Sequence, residues 1–421
     1  MSTRLFSRGF VSLLVTQFLG AVNDNILKGV LTFMVINGAW QGMLGQGGQG
    51  LVFVIFNLPF ILLSGYAGKF CDRNSKRYVS VLVKTAEIPI TLVGCAGFWT
   101  GNLWLTLAAL VLLSCQSSFF GPAKYGMIPE LVPDRQLSRA NGTINMMTNL
   151  AVIGGTFAAG VISDRYSPLP AADGSTPAPS PWLPGVVMIV VAAAGLAAVV
   201  FLPRLEAGDR TLRYDWNPFS TYVHSFRAMR GSPLLWVMLS WGFFYFVAGL
   251  ALMVIPEYSD VLAIDRKRAS LILGVMGLAI GVGSAAAGLI SGDQIKPRLV
   301  PVGALGLTVF FALLGAVPPT FLNVCLFVGG AGVFAGFYII PLQALLQKLS
   351  PADERGRFLG TANGLAFCFL CAAGILYWTL RPAFGETPQR MFLVSAGSLV
   401  VGGGLLLLRL RKLIYAPRAE S

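Results

Sequence analysis

Four ionisable residues stand inside stretches otherwise suited only to lipid, and a fifth stands at the boundary of one. Asp24 and Lys28 lie in TQFLGAVNDNILK (16–28), Lys84 and Glu87 in a later apolar run, and Lys124 in GPAKYGMIPE. An ionisable group at bilayer depth costs about 3 kcal/mol or more, so each must face a partner or a watery cavity. At about 100° per residue, Gln17, Gly20, Asp24 and Lys28 share one side of a helix. Two uses suit that face: an Asp–Lys pair at i,i+4 that satisfies itself and locks helices together, or the handling of a charged substrate or ion. Lys84 and Glu87, three apart, pose the same choice between intrahelical neutralisation and exchange of partners with Asp24 or Lys28. Lys124 is either a topogenic lysine snorkelling to phosphate or a cation at a cavity mouth. The chemistry on offer is reversible ion pairing.

Bond-making chemistry finds no residues. The chain lacks a G-x4-G-K-[ST] loop, and its one histidine, His224, has no Ser–Asp or Cys partner pattern and no acyltransferase His-x4-Asp spacing. Cys368 and Cys371 have no second Cys/His pair, so a zinc site is not expected, and the six cysteines read as helix-packing residues. No catalytic residue, metal or cofactor is expected.

The elements that must hold these charges are membrane helices. The 421 residues are 55% hydrophobic and 12% charged, with a mean hydropathy of +0.71; soluble domains carry about twice that share of charge. Apolar runs long enough to span a bilayer fall at 9–38, 50–71, 77–100, 102–123, 138–163 and 183–203. Six more fall at 233–258, 268–292, 298–318, 320–347, 357–379 and 391–412. The net charge of +13 does not signal nucleic acid. With both termini cytoplasmic, only Arg165, Arg266, Lys267, Arg268, Arg381 and Arg390 fall in outside loops; Lys28 and Lys84 lie within spans, and the other basic residues are inside. The first run lacks an A-x-A site and is no cleavable signal.

The two sets of six spans carry a faint repeat. Ala140-Asn141-Gly142 returns as Ala362-Asn363-Gly364, Asp72 as Asp293 and Pro122 as Pro341, at a nearly constant offset of about 220 residues. The domains expected are a six-helix bundle over 1–203, a cytoplasmic linker over 204–232, and a second bundle with a short tail over 233–421. In the linker, Phe219, Tyr222, Val223 and Phe226 recur at i, i+3, i+4, i+7, which suits a helix in the headgroup layer or one packed on the bundle. Ser167–Pro184 reads as a flexible outside tether. In the fifth span, Asn145 and Thr148 continue the face of Asn141 with Gly155, and Gly160 follows; Gly274, Gly277, Gly281 and Gly288 form a stripe in the eighth. Both glycine sets read as close-packing surfaces.

Against that frame of residues, the chain resembles the lysophospholipid transporter family of the major facilitator superfamily. The resemblance is carried by TQFLGAVNDN (16–25), FGPAKYGMIPEL (120–131), RANG (139–142) and GFYIIPLQALLQ (336–347), and spans essentially the whole chain. GKFCDRNSKR (68–77) likewise matches the loop pattern G-x3-D-R-x2-[KRG]-[KR] that major facilitators carry between their second and third helices. The resemblance implies an all-α integral membrane fold of twelve transmembrane helices in two six-helix halves. It implies a secondary carrier that returns lysophospholipids to the cytoplasmic leaflet of a bacterial inner membrane for re-acylation, with any acyltransferase or acyl carrier protein synthetase a separate polypeptide. Asp72, Arg73 and Arg77 would then form a charge latch at the cytoplasmic gate.

A zwitterionic headgroup needs a carboxylate for its amine and a cation for its phosphate; Asp24, with Lys28, Lys84 or Lys124, supplies both. The expected substrate-binding set is Gln17, Asp24, Lys28, Lys84, Glu87, Lys124 and Asn145. One departure stands out: relatives often carry an arginine in the seventh helix, but Trp241–Ile255 holds no basic residue. Two other readings remain open at this point. One is a proton-coupled exporter of amphipathic compounds in which Asp24 or Glu87 titrates; the other is a membrane scaffold for an acyltransferase.

Overall fold

A chain so apolar must satisfy its backbone within each segment, and it does so as helices. The computed structural model describes residues 6–133, 137–168, 176–205, 217, 219–291, 295–351 and 355–414. Eleven helices among them are long and apolar enough to cross a membrane, or twelve when Gly48–Arg73, bent by 52°, is taken as one span. They match the twelve apolar runs of the sequence. Asp293, most of the Pro-rich tether (169–175) and most of the early linker (206–216, 218) lie outside the described residues.

By contacts the chain forms two units. Unit 1 comprises Met1–Phe219 together with Asp265–Ser270, and unit 2 comprises Ser220–Ile264 and Leu271–Ser421. In unit 1, α1 (Arg8–Asn37) packs against α2 (Gly48–Arg73), α4 (Leu103–Leu131), α5 (Leu137–Tyr166) and α6 (Leu183–Val200). The remaining helix, α3 (Lys76–Trp99), lies on α4 and α6. The start of α1 is capped by Ser7, whose Oγ accepts from Phe10 N at 3.2 Å. Next to that cap, Phe10, Leu13, Val79, Val83, Met127, Ile144 and Val199 build one apolar core. At the opposite end of α1, Trp40 stacks on Phe98 and donates its indole N–H to Gly101 O at 2.8 Å.

Two basic segments of unit 1 are held by specific partners. Arg266, assigned to an outside loop, is fully buried. Its guanidinium donates to Asn37 Oδ1 at 2.9 Å, Asn37 O at 2.8 Å, Ser163 O at 3.0 Å and Ser167 O at 2.6 Å. Asp164 accepts the backbone N–H groups of Arg266 and Lys267, both at 3.1 Å. Beside the loop between α2 and α3, Lys76 pairs with Glu130 at 2.5 Å. It links the GKFCDRNSKR loop to the end of GPAKYGMIPE. Gly126 makes room for the lysine, since a Cβ there would lie 2.6 Å from Lys76 Cε.

Unit 2 contains a short helix, α7 (Ser220–Ala228), then α8 (Pro233–Val254), α9 (Arg266–Ser291, from Leu271 onward), α10 (Leu299–Ala316), α11 (Phe321–Leu349) and α12 (Arg355–Leu380). The last span, α13, runs through Met391–Ser398, a π turn Leu399–Gly403 and Gly404–Ile414. The α7 helix docks on α12: Ser225 meets Thr361 Oγ1 at 2.9 Å, and Tyr222 covers Gly364, while Phe219 and Val223 stay exposed. The close crossing of α9 and α11 rests on Gly283, Gly332 and Gly336. Gly281 and Gly288 of the stripe read from the sequence face open space. A glycine stripe alone does not say which side of a helix meets its neighbour, and here the contact side is set by α11.

Candidate substrate site

The polar face of α1 is held in a helix by local bonds. Asn25 Nδ2 donates to Ala21 O at 2.8 Å and Thr32 Oγ1 to Lys28 O at 2.8 Å, which satisfies those side chains within their own helix. Asp24, half-buried, turns toward α4 instead. Its Oδ2 and Oδ1 accept from Ser117 Oγ at 2.9 and 3.2 Å. Among the described residues it forms no ion pair.

The self-contained Asp24–Lys28 pair weighed from the sequence is therefore not made. Lys28 Nζ donates to Asn25 Oδ1 at 3.0 Å and lies 5.0 Å from the Phe56 ring centroid. The short aspartate side chain reaches across to α4, while the amide three residues before the lysine offers it a closer acceptor. Lys124 is buried, with its ammonium 4.4 Å from the Tyr125 ring centroid. It too makes no ion pair among the described residues. Both lysines lie within electrostatic reach of Asp24.

Lys84 and Glu87 do pair, at 2.6 Å, with side chains 2% and 1% exposed. Asn23 Nδ2 donates to the other glutamate oxygen at 2.7 Å, tying α1 to α3. Gly20 accommodates this brace, since a Cβ there would lie 2.5 Å from Lys84 Nζ. Gln17 Nε2 reaches Thr148 Oγ1 at 3.1 Å, joining α1 to α5. Asn145 lies in α5, and its side chain is outside the described set.

The structure thus brings Asp24 to α4, where Lys124 also stands; the Lys84–Glu87 pair is engaged with itself and with Asn23, within electrostatic reach of Asp24. Asp72 and Arg73 end α2 and Arg77 opens α3, on either side of the loop that joins them. Asp72 is exposed on the last turn of α2, and Arg77 Nη2 donates to Val200 O at 3.5 Å. Sequence reasoning missed Ser117 and Gln116 on α4 and Asn23 on α1. It also missed a buried pair in unit 2, where Arg381 grips Glu257 through Nε (2.9 and 2.8 Å) and Nη2 (2.6 Å), with Tyr377 donating to the same carboxylate. Ser117, Gln116 and Asn23 carry no charge and so leave no signature in an apolar run.

The sequence profile of the Major Facilitator Superfamily matches residues 6–375. This chain belongs to the Major Facilitator Superfamily. Curated relatives include "Lysophospholipid transporter LplT" of Yersinia enterocolitica serotype O:8 / biotype 1B, 28% identical over 384 residues that cover 86% of this chain and 83% of the relative. The protein of the same name from Yersinia pestis (strain Pestoides F) is 27% identical over 411 residues, covering 94% and 88%. Among solved structures, a bacterial homologue of the human lysosomal transporter Spinster, inward-facing and unoccupied, matches with a TM-score of 0.74 at 13% identity over 100% of both chains. A POT family transporter in complex with 5-aminolevulinic acid gives 0.73 at 12% identity over 97% of each. At such identities the structural likeness speaks for the fold alone. This Major Facilitator Superfamily member is a multi-pass membrane transporter and not an enzyme.

Proposed function

We propose that this transporter is a secondary carrier moving lysophospholipids, such as lysophosphatidylethanolamine, from the outer to the inner leaflet of a bacterial inner membrane by alternating access. The observation that carries the reading is a set of charges kept apart. Asp24 has Ser117 but no cation, and Lys28 and Lys124 have no carboxylate among the described residues. A zwitterionic headgroup completes both halves of that set, its amine on Asp24 and its phosphate on Lys124 or Lys28. Relatives named lysophospholipid transporters along most of the chain support the substrate class. The seventh span lacks a basic residue, so the phosphate-binding cation comes from α1 or α4. Gln17 and Asn145 would line the same cavity, and Lys84 with Glu87 would brace it. The acyl chain lies against apolar helix walls or projects into lipid. Both termini would be cytoplasmic, Asp72, Arg73 and Arg77 would serve the gate on that side, and re-acylation would fall to a separate acyltransferase.

The test is movement of labelled lysophosphatidylethanolamine in proteoliposomes, with a diacyl phospholipid as control. Wild type is expected to move the lysolipid and not the control. Asp24→Ala and Lys124→Ala, each checked for a monodisperse fold, are expected to lower the rate at least tenfold, because each removes a charge-assisted hydrogen bond of about 2 kcal/mol. No movement by wild type, with or without a pH gradient, overturns the lipid assignment. Movement of an amphipathic cation that depends on a pH gradient and is lost in Asp24→Asn would install the proton-coupled exporter in its place.

A further inference from the structure

Beside Asp24 lies a buried acceptor with nothing to accept. Gln116 is 9% exposed, and its Nε2 donates to Ser117 Oγ at 3.1 Å. Ser117 has one hydroxyl hydrogen, and that hydrogen is directed at the Asp24 carboxylate. The hydroxyl therefore accepts from Gln116, and turning the amide over would set a carbonyl against an oxygen with no hydrogen to give. The amide orientation is fixed by the carboxylate two bonds down the relay. Gln116 Oε1 is left buried and without a partner among the described residues. Asn23, one residue before Asp24, repeats the pattern: Nδ2 donates to Glu87, and Oδ1 is buried and unpartnered. Leaving such an acceptor unmet costs about 1–3 kcal/mol, a cost that a substrate donor would relieve.

We infer that Gln116 is a specificity-determining residue, whose carbonyl joins the Asp24 carboxylate in accepting the N–H groups of a primary ammonium headgroup. Ser117 holds the two acceptors in register. This rests on the substrate site proposed above and adds to it a reason for discrimination. A primary ammonium brings three hydrogens to acceptors around Asp24, whereas a trimethylated ammonium brings none and leaves Gln116 Oε1 stranded. A site built around unmet acceptors rejects the analogue that lacks donors more strongly than a charge alone would.

The experiment compares flipping of lysophosphatidylethanolamine with that of its N-trimethyl analogue, in wild type, Gln116→Leu and Gln116→Glu. Wild type is expected to favour the primary amine. Gln116→Leu is expected to raise the KM for the primary amine about tenfold while leaving that for the trimethyl lipid within twofold, so that the preference collapses. Gln116→Glu keeps an acceptor and is expected to keep the preference, which also guards against a leucine variant that fails to fold. A wild type that moves both lipids equally, or a Gln116→Leu that slows both by the same factor, overturns the inference while leaving the carrier reading intact. A wild type that moves neither overturns both.

Discussion

Replacing Glu87 with alanine is expected to lower the thermal unfolding midpoint of the detergent-solubilised protein by roughly 5 °C, with loss of monodispersity. The effect is large because Lys84, 2% exposed, would keep its charge and lose the carboxylate it pairs with at 2.6 Å. Stranding a buried charge costs about 3–5 kcal/mol. Asn23 would lose its acceptor as well, so α1 would be freed from α3 at the residue next to Asp24. Glu87→Gln separates the two contributions: it keeps an oxygen for Asn23 and removes only the charge. Removing both charges in Lys84→Met/Glu87→Gln is expected to recover most of the lost stability, as paired charges replaced together often cost little. The double variant should also still move substrate, since the pair is closed on itself. Stability lost equally in the double and single variants would show that the ion pair is not the brace.

Gly336→Val is expected to damage unit 2 severely. A Cβ at this position would lie 2.2 Å from Ser284 N and 2.3 Å from Gly283 C. Both are backbone atoms, so no side chain can rotate out of the way, and α9 and α11 must move apart along their crossing. Overpacking commonly costs about 1–3 kcal/mol, and valine adds two methyl groups beyond the Cβ. Gly288→Val is the matched control on α9, because nothing lies within 4 Å of its Cβ position. Side-by-side unfolding curves should show Gly336→Val several degrees below wild type and Gly288→Val close to it. Equal behaviour of the two would mean that the crossing tolerates separation.

The architecture was legible because twenty or so apolar residues in a row have few other uses, and the loops between them carry a biased charge. Asp24, Lys84, Glu87 and Lys124 were legible for the same reason, each an exception in an otherwise apolar run. Spacing could place them on a helix but could not say which way a side chain turns. Asp24 and Lys28 fit an i,i+4 pair on paper, yet α4 offers the carboxylate a serine and Asn25 takes the lysine. Ser114, Ser117 and Ser118 look alike in the sequence. Two of them bond back to their own helix, and only Ser117 bonds Asp24. That difference lies in the packing of α1 on α4, as does the unmet carbonyl of Gln116. The sequence places Arg266 only by side of the membrane; that four acceptors of unit 1 enclose its guanidinium lies in the packing as well.

Lys76 reaches Glu130 only by passing over Gly126. Two stretches of sequence that look like independent signatures are therefore one heritable unit. Any side chain at 126 presses on the lysine stem, which must shift to keep the bridge, so a change in one stretch creates selection on the other. A library randomising positions 76, 126 and 130 together should return coupled solutions: glycine with the Lys–Glu pair, or a larger residue at 126 with neutral residues at 76 and 130. Mixed combinations should be rare, and an isolate carrying Gly126→Val should acquire its suppressors at 76 and 130 before anywhere else in the chain.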